Sequence, residues 1–350
     1  MTRIKDIARE ANVSEGTVDR VIHNRGGVSK KTEVKIKEIL KKRNFTLNPV
    51  ASALARQKKY KISVLIPEFS ESDIFWELPN LGILKAIDDI KSLGVEVAIF
   101  KYEQYSPQSY KKSFDLLLKG NPSAVIFVPM FLKETSKIVN QLKKLQIKYF
   151  FLNIDFEEFE NSIFIGQNSY MAGFISGKLM HLSVPEEASF LILQSKHQVG
   201  DNNAISKRIE GFKDYFKTHN IEVEILLLNI ANFSDIDSTR KKINNFLDKH
   251  SEIKGLFIPS SRISHIVSCL SDLHIKQLKL IGFDNTPQNI ECLKNGDVSF
   301  LISQKPFDQG YESIILMKDY LLKDKLPKDK IYLPIDILVK ENVMFNERIG

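Results

Sequence analysis

Little in the sequence points to secretion, membrane insertion or disulfide chemistry. The chain has only two cysteines, Cys269 and Cys292, whose separation does not match a metal site, so we expect two thiols in a reducing compartment. The longest apolar run, Ala124 to Leu132, is about half as long as a membrane span and contains Pro129. No apolar segment of a signal peptide precedes the first amphipathic pattern. These absences predict a cytoplasmic protein with no membrane partner.

The sequence also lacks the motifs that usually carry catalysis or hold a cofactor. It contains no Gly-x-x-x-x-Gly-Lys-Ser/Thr phosphate loop, no Gly-x-Gly-x-x-Gly fingerprint, no His-Glu-x-x-His zinc motif and no Gly-x-Ser-x-Gly nucleophile elbow. Its seven histidines are scattered without ligand spacing. We therefore predict no catalytic residues, no metal site and no cofactor, and we do not expect an enzyme.

What the sequence does have is an uneven distribution of charge. Residues 1–61 carry 16 Lys and Arg against 6 Asp and Glu, an excess of ten positive charges, whereas the whole chain has a net charge of +7. The remaining residues therefore carry three net negative charges. A basic segment joined to a nearly neutral body indicates that this segment alone binds a polyanion.

The pattern of residues 1–46 predicts three short helices. Asn12 suits the left-handed residue that ends the first helix, and Ser14 and Ser29 are N-caps for the second and third. The apolar positions of these helices, at helical spacing, are Ile4, Ile7, Ala8, Ala11, Val18, Val21, Ile22, Ile36, Ile39 and Leu40. A short turn between the first two helices is typical of a helix-turn-helix DNA-binding head.

Residues 47–59 predict a hinge helix and linker. Asn48 is a good N-cap, and Pro49 suits the first position of a helix. The helix lasts about two turns, which is too short to be stable alone in water. We therefore expect it to fold only when another surface covers Leu54 and the neighbouring alanines.

The head and hinge resemble the lac repressor (LacI/GalR) family. The resemblance is continuous and in register, and it is carried by Ile4-Lys5-Asp6-Ile7-Ala8, Ala11-Asn12-Val13-Ser14, Thr17-Val18, Arg20-Val21, Val28-Ser29, Asn48-Pro49-Val50-Ala51 and Leu54-Ala55. It implies that Ser14 and Thr17 hold phosphates, that Arg20 reads a base, and that Leu54 is wedged into the minor groove. The predicted DNA-contacting residues are Ser14, Glu15, Gly16, Thr17, Asp19, Arg20, Ser29, Asn48, Ala51 and Leu54.

One residue of the second helix departs from the family pattern. Asp19 stands where the family usually has a serine, and a carboxylate cannot donate a hydrogen bond to a phosphate. Either Asp19 orients Arg20 through a charge-assisted hydrogen bond, or it accepts from cytosine N4. Glu15 and Gly16 occupy the two positions that vary with operator sequence. Gly16 has no side chain, so we expect Glu15 and Arg20 to carry most base discrimination.

Residues 60–345 alternate apolar β-type runs with amphipathic helical patterns, which predicts parallel βαβ units. Two such series predict two doubly wound lobes with a cleft between the carboxyl ends of their strands. The resemblance implies the same architecture, a periplasmic-binding-protein-like domain that binds an effector and dimerises. We predict an N-lobe of about 60–162 and 292–322 and a C-lobe of about 163–291 and 323–345.

Several groups that could bind an effector follow predicted strands. We expect Phe75 and Trp76 to stack on a sugar ring, with ordinary core or interface residues as the alternative. Arg208 and Asp284 match family motifs that imply ligand contact, with a structural ion pair as the alternative. The predicted effector-binding residues are Phe75, Trp76, Asn153, Asp155, Arg208, Ser260, Arg262, Asp284 and Gln304.

A second departure concerns the character of the effector. Ser260-Ser261-Arg262 replaces the family's usual Asn-Asp, and a second arginine near Arg208 suits a carboxylate or phosphate. We therefore expect a sugar-acid effector over a neutral disaccharide.

The resulting hypothesis is a homodimeric transcription regulator, most simply a repressor, that binds a near-palindromic operator in double-stranded DNA. The alternative is a periplasmic-type sugar receptor without a transcriptional role. The C-terminus lacks the leucine heptads of a tetramerising coiled coil, which favours a dimer.

Overall fold

The computed structural model describes residues 3–22, 25–43, 45, 59–70, 74–156, 158–159, 162–195, 203–230 and 235–345. The chain divides into two compact units, Met1–Gln57 and Lys58–Gly350, which we describe separately as the head and the body. The predicted hinge residues Asn48, Ala51 and Leu54 lie outside the described residues.

The head contains the three predicted helices, α1 (Ile4–Ala11), α2 (Glu15–Ile22) and α3 (Lys30–Lys42). Asn12 ends α1 in the left-handed conformation, with φ 56° and ψ 51°. The Ser14 hydroxyl accepts a hydrogen bond from the Thr17 N–H at 3.2 Å, and the Ser29 hydroxyl accepts one from the Thr32 N–H at 3.2 Å. These contacts confirm the predicted helix ends.

A small apolar core holds the head together. Its buried members come from all three helices and are Ile7, Ala8, Ala11, Val18, Val21, Ile36 and Ile39. Burying an Ile or Val side chain contributes about 1.5–3 kcal/mol. Lys35 of the third helix and Arg43, the residue after it, add polar links to the first helix. Lys35 donates to the Ala11 carbonyl oxygen at 2.9 Å, and Arg43 pairs with Glu10 at 2.7 Å. The outward face of α2 is thus presented by a fixed scaffold.

The body is built on two six-stranded sheets. The N-lobe sheet contains β1 (Tyr60–Pro67), β2 (Val95–Tyr102), β3 (Ala124–Phe127), β4 (Lys148–Leu152), β5 (Ile163–Gly166) and β11 (Lys330–Tyr332), in the order β11-β5-β4-β3-β1-β2, and all pairs are parallel. Its helices are α4 (Glu77–Ile90), α5 (Pro107–Leu118), α6 (Leu132–Lys144) and α13 (Pro306–Lys323), with a short 3-10 helix at Lys91–Leu93.

The C-lobe sheet contains β6 (Ser189–Ser195), β7 (Ile225–Ile230), β8 (Ile253–Phe257), β9 (Lys279–Phe283), β10 (Phe300–Ser303) and β12 (Asp336–Leu338), in the order β12-β10-β9-β8-β6-β7. Only β12 is antiparallel, along β10. The helices are α7 (Ser169–Ser183), α8 (Asn203–Thr218), α9 (Ile236–Leu247), α10 (Ile263–Cys269), α11 (Asp272–Gln277) and α12 (Pro287–Asn295), and Val343–Phe345 is 3-10. The predicted two-lobed α/β class is confirmed.

The predicted lobe boundaries are wrong for three strands. β5 and β11 fall in the predicted C-lobe ranges but belong to the N-lobe sheet, where β5 pairs with β4 and β11 with β5. β10 falls in the predicted N-lobe range but pairs with β9 in the C-lobe sheet. The hydrophobic pattern of a strand indicates that it is buried, but it does not indicate which of two sheets it joins.

Both cysteines are free thiols, as predicted, and Cys269 is buried. Burial raises the pKa of the half-buried Cys292 to about 11, which disfavours the reactive thiolate. Among the described residues, no helix combines the length and apolar character that a membrane span requires. The same part of the chain holds no cluster of three or more His, Cys, Asp or Glu side chains suited to a metal ion.

Candidate DNA-binding surface and effector cleft

The exposed side of α2 carries the predicted DNA-contacting residues. Val18 and Val21 are buried, which turns Glu15, Gly16 and Arg20 toward solvent and leaves Thr17 and Asp19 half-buried. The predicted contacts Ser14 and Ser29 are also exposed. Polar and charged groups therefore face outward along one side of a helix whose other side is fixed in the core, as a recognition helix requires.

Asp19 has a partner that the sequence analysis missed. Its Oδ2 accepts a hydrogen bond from Nη1 of Arg25 at 3.1 Å, and the pair is partly exposed. The backbone N–H of Arg25 donates to the Arg20 carbonyl oxygen at 3.0 Å, which ties the start of the next loop to the end of α2. The only signal in the sequence was that an arginine follows an aspartate by six residues. This spacing does not predict a side-chain contact when the helix ends between the two residues.

In the body, the predicted effector residues meet where parallel strands end. Asn153 follows β4, Ser260 follows β8, Asp284 follows β9 and Gln304 follows β10. They line a small chamber of about 60 Å³, which we call the effector chamber. Eight of the nine predicted effector-binding residues line it, namely Phe75, Trp76, Asn153, Arg208, Ser260, Arg262, Asp284 and Gln304. The carboxyl-end rule for parallel sheets accounts for this convergence.

Asp155 is the predicted residue that does not line the effector chamber. It is ion-paired with Lys330 and lines a separate cavity of about 290 Å³ beside β5 and β11. Asn153 has a φ of 67°, so the chain turns sharply after β4, and Ile154 lines the effector chamber instead. Proximity to Asn153 in sequence therefore did not predict the position of Asp155.

Arg208 and Asp284 are the two buried charged groups of the effector chamber, 4% and 1% exposed. Arg208 donates through Nη1 to the Pro259 carbonyl oxygen at 2.8 Å, and its guanidinium carbon lies 3.9 Å from the centre of the Phe283 ring. Its Nε is buried and has no hydrogen-bond partner among the described residues. A buried donor of this kind is costly unless it is satisfied, so a ligand acceptor in the chamber would stabilise it.

Burial shifts the pKa values of both groups toward their neutral forms. It lowers the pKa of Arg208 to about 10, although the nearby Asp284 carboxylate opposes this shift. It raises the pKa of Asp284 to about 6, against the opposing effects of Arg208 and of the Gln304 hydrogen bonds. Desolvation dominates in both cases. At neutral pH both remain charged, because pH 7 lies above the pKa of Asp284 and below that of Arg208.

Gln304 orients Asp284 and links it to the N-lobe. Its Nε2 donates to both carboxylate oxygens of Asp284, at 2.8 and 3.0 Å. Its Oε1 accepts from Nδ2 of Asn153 at 3.3 Å, and that nitrogen also donates to Oε1 of Gln309 at 3.0 Å. Gln309, which the sequence analysis missed, is fully buried and returns a hydrogen bond to the Gln304 carbonyl oxygen at 2.8 Å. The carboxylate is thus held by a network that spans both lobes.

Asn289 is a second residue that the sequence analysis missed. It is fully buried, and its Nδ2 lies within hydrogen-bond distance of the carbonyl oxygens of Ser261, Phe283 and Asp284, at 2.9, 3.0 and 3.1 Å. These contacts join the loops that follow β8 and β9. Thr286 caps the helix that carries Asn289, so a local helix signal existed, but the side-chain role depends on tertiary contact.

Two glycines allow the helix that carries Arg208 to approach its neighbour closely. A Cβ atom on Gly173 of α7 would lie 2.0 Å from the Arg208 carbonyl oxygen, and one on Gly211 of α8 would lie 2.0 Å from the Tyr170 carbonyl oxygen. Both distances are impossible for a real side chain. The direct backbone packing of α7 on α8 therefore sets the position of Arg208.

The aromatic pair at the chamber wall belongs to the N-lobe core, as its second alternative predicted, and stacking on a sugar ring stays a prediction. Phe75 and Trp76 pack edge to face with ring centroids 4.9 Å apart, and they are 7% and 3% exposed within the N-lobe core. Both also line the effector chamber. Across the chamber, Nη2 of Arg262 donates to the Tyr105 hydroxyl at 3.0 Å. This bond connects the loop after β8 in the C-lobe with the loop after β2 in the N-lobe.

A helix-turn-helix head joined to a two-lobed domain with a buried polar chamber defines the class of ligand-controlled DNA-binding regulators. Comparison with known families agrees with this class. Residues 3–48 match the model of bacterial regulatory proteins of the lacI family, and residues 62–325 match that of the periplasmic binding protein domain. The chain belongs to the lacI family of regulators that carry such a domain.

Similar proteins are regulators and sugar-binding proteins. Catabolite control protein A of Staphylococcus aureus is 25% identical over 348 residues, covering 95% of this chain and 96% of that one. The ribose operon repressor of Halalkalibacterium halodurans is 25% identical over 357 residues, covering 99% and 98%. A solved LacI transcriptional regulator structure from Bacteroides fragilis is 28% identical, with a TM-score of 0.75, over 82% and 99% of the two chains. A Bacillus halodurans solute binding protein with bound myo-inositol, 19% identical over 83% and 97% of the chains, shares the fold with a TM-score of 0.71.

Proposed function

We propose that this chain is a cytoplasmic, homodimeric transcription repressor whose operator affinity is controlled by a small sugar or sugar-acid effector. Two heads would occupy adjacent half-sites of a near-palindromic operator, with the hinge residues Asn48, Ala51 and Leu54 at the minor groove between them. The names of the regulator relatives and the resemblance of the head and hinge support this arrangement. The same relatives support a regulator that is not an enzyme.

The observation that carries the effector proposal is the buried Nε of Arg208, which has no hydrogen-bond partner in the described part of the chain and lies in a chamber that also holds Asp284. A polyhydroxylated ligand offers both the acceptor that Arg208 needs and the hydroxyl donors that a carboxylate binds. Phe75 and Trp76 would supply apolar surface for the C–H face of a sugar ring. Asn153, Ser260 and Gln304 would supply further hydrogen bonds.

Control of DNA binding would follow from closure of the two lobes. Asn153 and Gln309 of the N-lobe hold Gln304 of the C-lobe, and Arg262 holds Tyr105 across the chamber, so a ligand that favours this closed arrangement shifts the balance between arrangements. The change in lobe arrangement would alter the spacing of the two hinges in the dimer. The coupling is reciprocal, so operator DNA would change effector affinity by the same factor.

A thermal-shift screen of neutral sugars and their sugar acids tests the proposal, because a ligand that binds the folded chain raises its melting temperature. Calorimetric titration of each matched pair then tests the preference for an acid. Tighter binding of the neutral member would exclude the sugar-acid hypothesis while retaining a sugar effector.

The Asp284→Ala variant should keep DNA binding, but its DNA binding should no longer respond to the effector. A chain that binds sugars but never duplex DNA would instead favour a receptor.

A further inference from the structure

Asp19 places a negative charge on the side of α2 that would face DNA, where a lone carboxylate repels the phosphate backbone. In the structure this carboxylate accepts a hydrogen bond from Arg25 at 3.1 Å. We propose that Arg25, oriented by Asp19, is a phosphate-contacting residue of the head. This inference rests on the proposed DNA-binding function and adds a residue that lies outside the recognition helix.

The backbone fixes where the Arg25 side chain begins. The Arg25 N–H donates to the Arg20 carbonyl oxygen at 3.0 Å, so Arg25 lies directly against the last turn of α2. Its side chain then returns along the helix to Asp19, the residue before Arg20. The N-terminal residues of a recognition helix reach the base edges. Arg25 lies beyond the other end of the helix, in the loop, and about half or more of all protein–DNA hydrogen bonds go to phosphate and sugar.

The loop after Arg25 packs against the side chain of Arg20. Gly27 has a φ of 74°, and a Cβ atom there would lie 2.7 Å from Nη1 of Arg20. The loop backbone thus lies against the Arg20 guanidinium, while Arg25 holds Asp19 on the same helix. The three side chains Asp19, Arg20 and Arg25 carry one net positive charge at neutral pH.

The pair with Asp19 leaves Arg25 able to bind a phosphate. A guanidinium has five N–H donors in a planar fork, and the described contact with Asp19 uses Nη1. The Arg25 side chain is 53% exposed, so its remaining donors have access to a ligand. Arginine binds phosphate with two parallel hydrogen bonds, and a carboxylate that orients the fork reduces the entropy lost on binding. Asp19 is therefore a positioning residue.

The head contains a matched control for this pair. Arg43 and Glu10 are joined at 2.7 Å, and the Arg43 side chain is 54% exposed, almost as much as Arg25. This pair links the end of α3 to α1 and does not involve α2. Arg43→Ala therefore removes one equally exposed positive charge, and one ion pair, at a place for which we propose no DNA contact.

The test uses full-length wild type, Arg25→Ala and Arg43→Ala with a fluorescent duplex of random sequence, titrated at several KCl concentrations. Each phosphate contact contributes about 0.9 to the slope of log affinity against log salt concentration. We expect Arg25→Ala to make this slope less steep, by about 0.9 per head. Arg43→Ala should leave the slope unchanged. Equal slopes for Arg25→Ala and wild type would overturn the inference. If wild type itself showed no salt-dependent duplex binding, the proposed function would be wrong.

A double variant separates a lost phosphate contact from simple repulsion by an uncovered Asp19. Asp19→Ser in the Arg25→Ala chain removes the Asp19 carboxylate, so affinity should recover in part while the slope stays low. Full recovery of the slope would show that Arg25 only neutralises Asp19.

Selection from random duplexes provides a second readout, because a phosphate contact carries no sequence information. Arg25→Ala should keep the preferred bases of wild type, and a changed preference would contradict the phosphate role.

Discussion

The head and the effector chamber use the same two residue types, arginine and aspartate, in opposite electrostatic settings. The Asp19 and Arg25 side chains of the head are 36% and 53% exposed, whereas Asp284 and Arg208 are 1% and 4% exposed as residues. Water screens the first pair, so it contributes little to folding and keeps its charges available to a polyanion. Burial shifts the pKa values of the second pair and makes each unsatisfied atom costly. The exposed groups suit a large charged partner, and the buried groups suit a small ligand that replaces their hydration.

We expect the largest effect from removal of the head, which should separate DNA binding from effector binding. Removal of residues 1–59 should abolish duplex DNA binding, because it removes nine of the ten excess positive charges of residues 1–61, and it should leave effector affinity unchanged. Calorimetric titration of the remaining chain with a ligand found by thermal shift measures the second part. Persistent, salt-sensitive DNA binding by residues 60–350 would show that the body also carries a polyanion site.

The next effect concerns the buried carboxyl and depends on pH. Because the pKa of Asp284 is raised to about 6, the folded chain holds this proton at a higher pH than the unfolded chain does. The group therefore favours folding at low pH, and this contribution is lost as the pH rises through about 6. Relative to Asp284→Asn, wild type should gain up to about 3 kcal/mol of unfolding free energy between about pH 7.5 and pH 4. Urea unfolding followed by Trp76 fluorescence measures the difference, and a pH-independent value would contradict it.

A somewhat smaller effect should follow Gln304→Ala. This change removes both side-chain hydrogen bonds to the Asp284 carboxylate, and an unsatisfied buried group costs about 1–3 kcal/mol. Urea unfolding should show the loss, and effector affinity should fall with it. Gln108 is an exposed glutamine of α5, so Gln108→Ala is the matched control and should change stability little. Similar losses for the two variants would mean that the network across the lobes contributes no stability.

The smallest effect should come from the exposed ion pair of the head. Arg43→Ala breaks the contact with Glu10, and exposed pairs contribute about 0–1 kcal/mol. Thermal unfolding of the head followed by circular dichroism should shift only slightly, and less in high salt. A loss comparable to that of Gln304→Ala would remove the contrast between exposed and buried charges.

The parts of the molecule that sequence predicts well are those determined by near neighbours in the chain. Asn12, Ser14 and Ser29 end or begin helices through contacts within three or four residues, so their roles follow from residue type and position. Among the residues of the effector chamber, Arg208 and Asp284 were predicted from family motifs, and others for a different reason. Polar groups placed directly after buried parallel strands converge at one sheet edge, whatever the details of packing.

The features that sequence did not predict depend on distant partners. Gln309 and Asn289 are helix residues of ordinary appearance until the fold brings Asn153 and the carbonyl groups of Ser261 and Phe283 to them. The strands β5 and β10 look alike as apolar runs, β11 is only Lys-Ile-Tyr, and pairing alone decides which sheet each strand joins. Likewise, the contact of Asp19 with Arg25 depends on how the loop leaves α2, which no periodicity describes.

The exchange of strands between the lobes has a consequence for how the body is made. The N-lobe sheet begins with β1 at Tyr60, but its outer strand β11 is formed by residues 330–332, and β12 of the other sheet follows still later. Neither sheet is therefore complete while the ribosome is still adding the last residues of the body. The edge of β5 stays open during synthesis, and an open edge can pair with another chain. A nascent body would depend on late folding, or on a chaperone that covers this edge, to avoid aggregation.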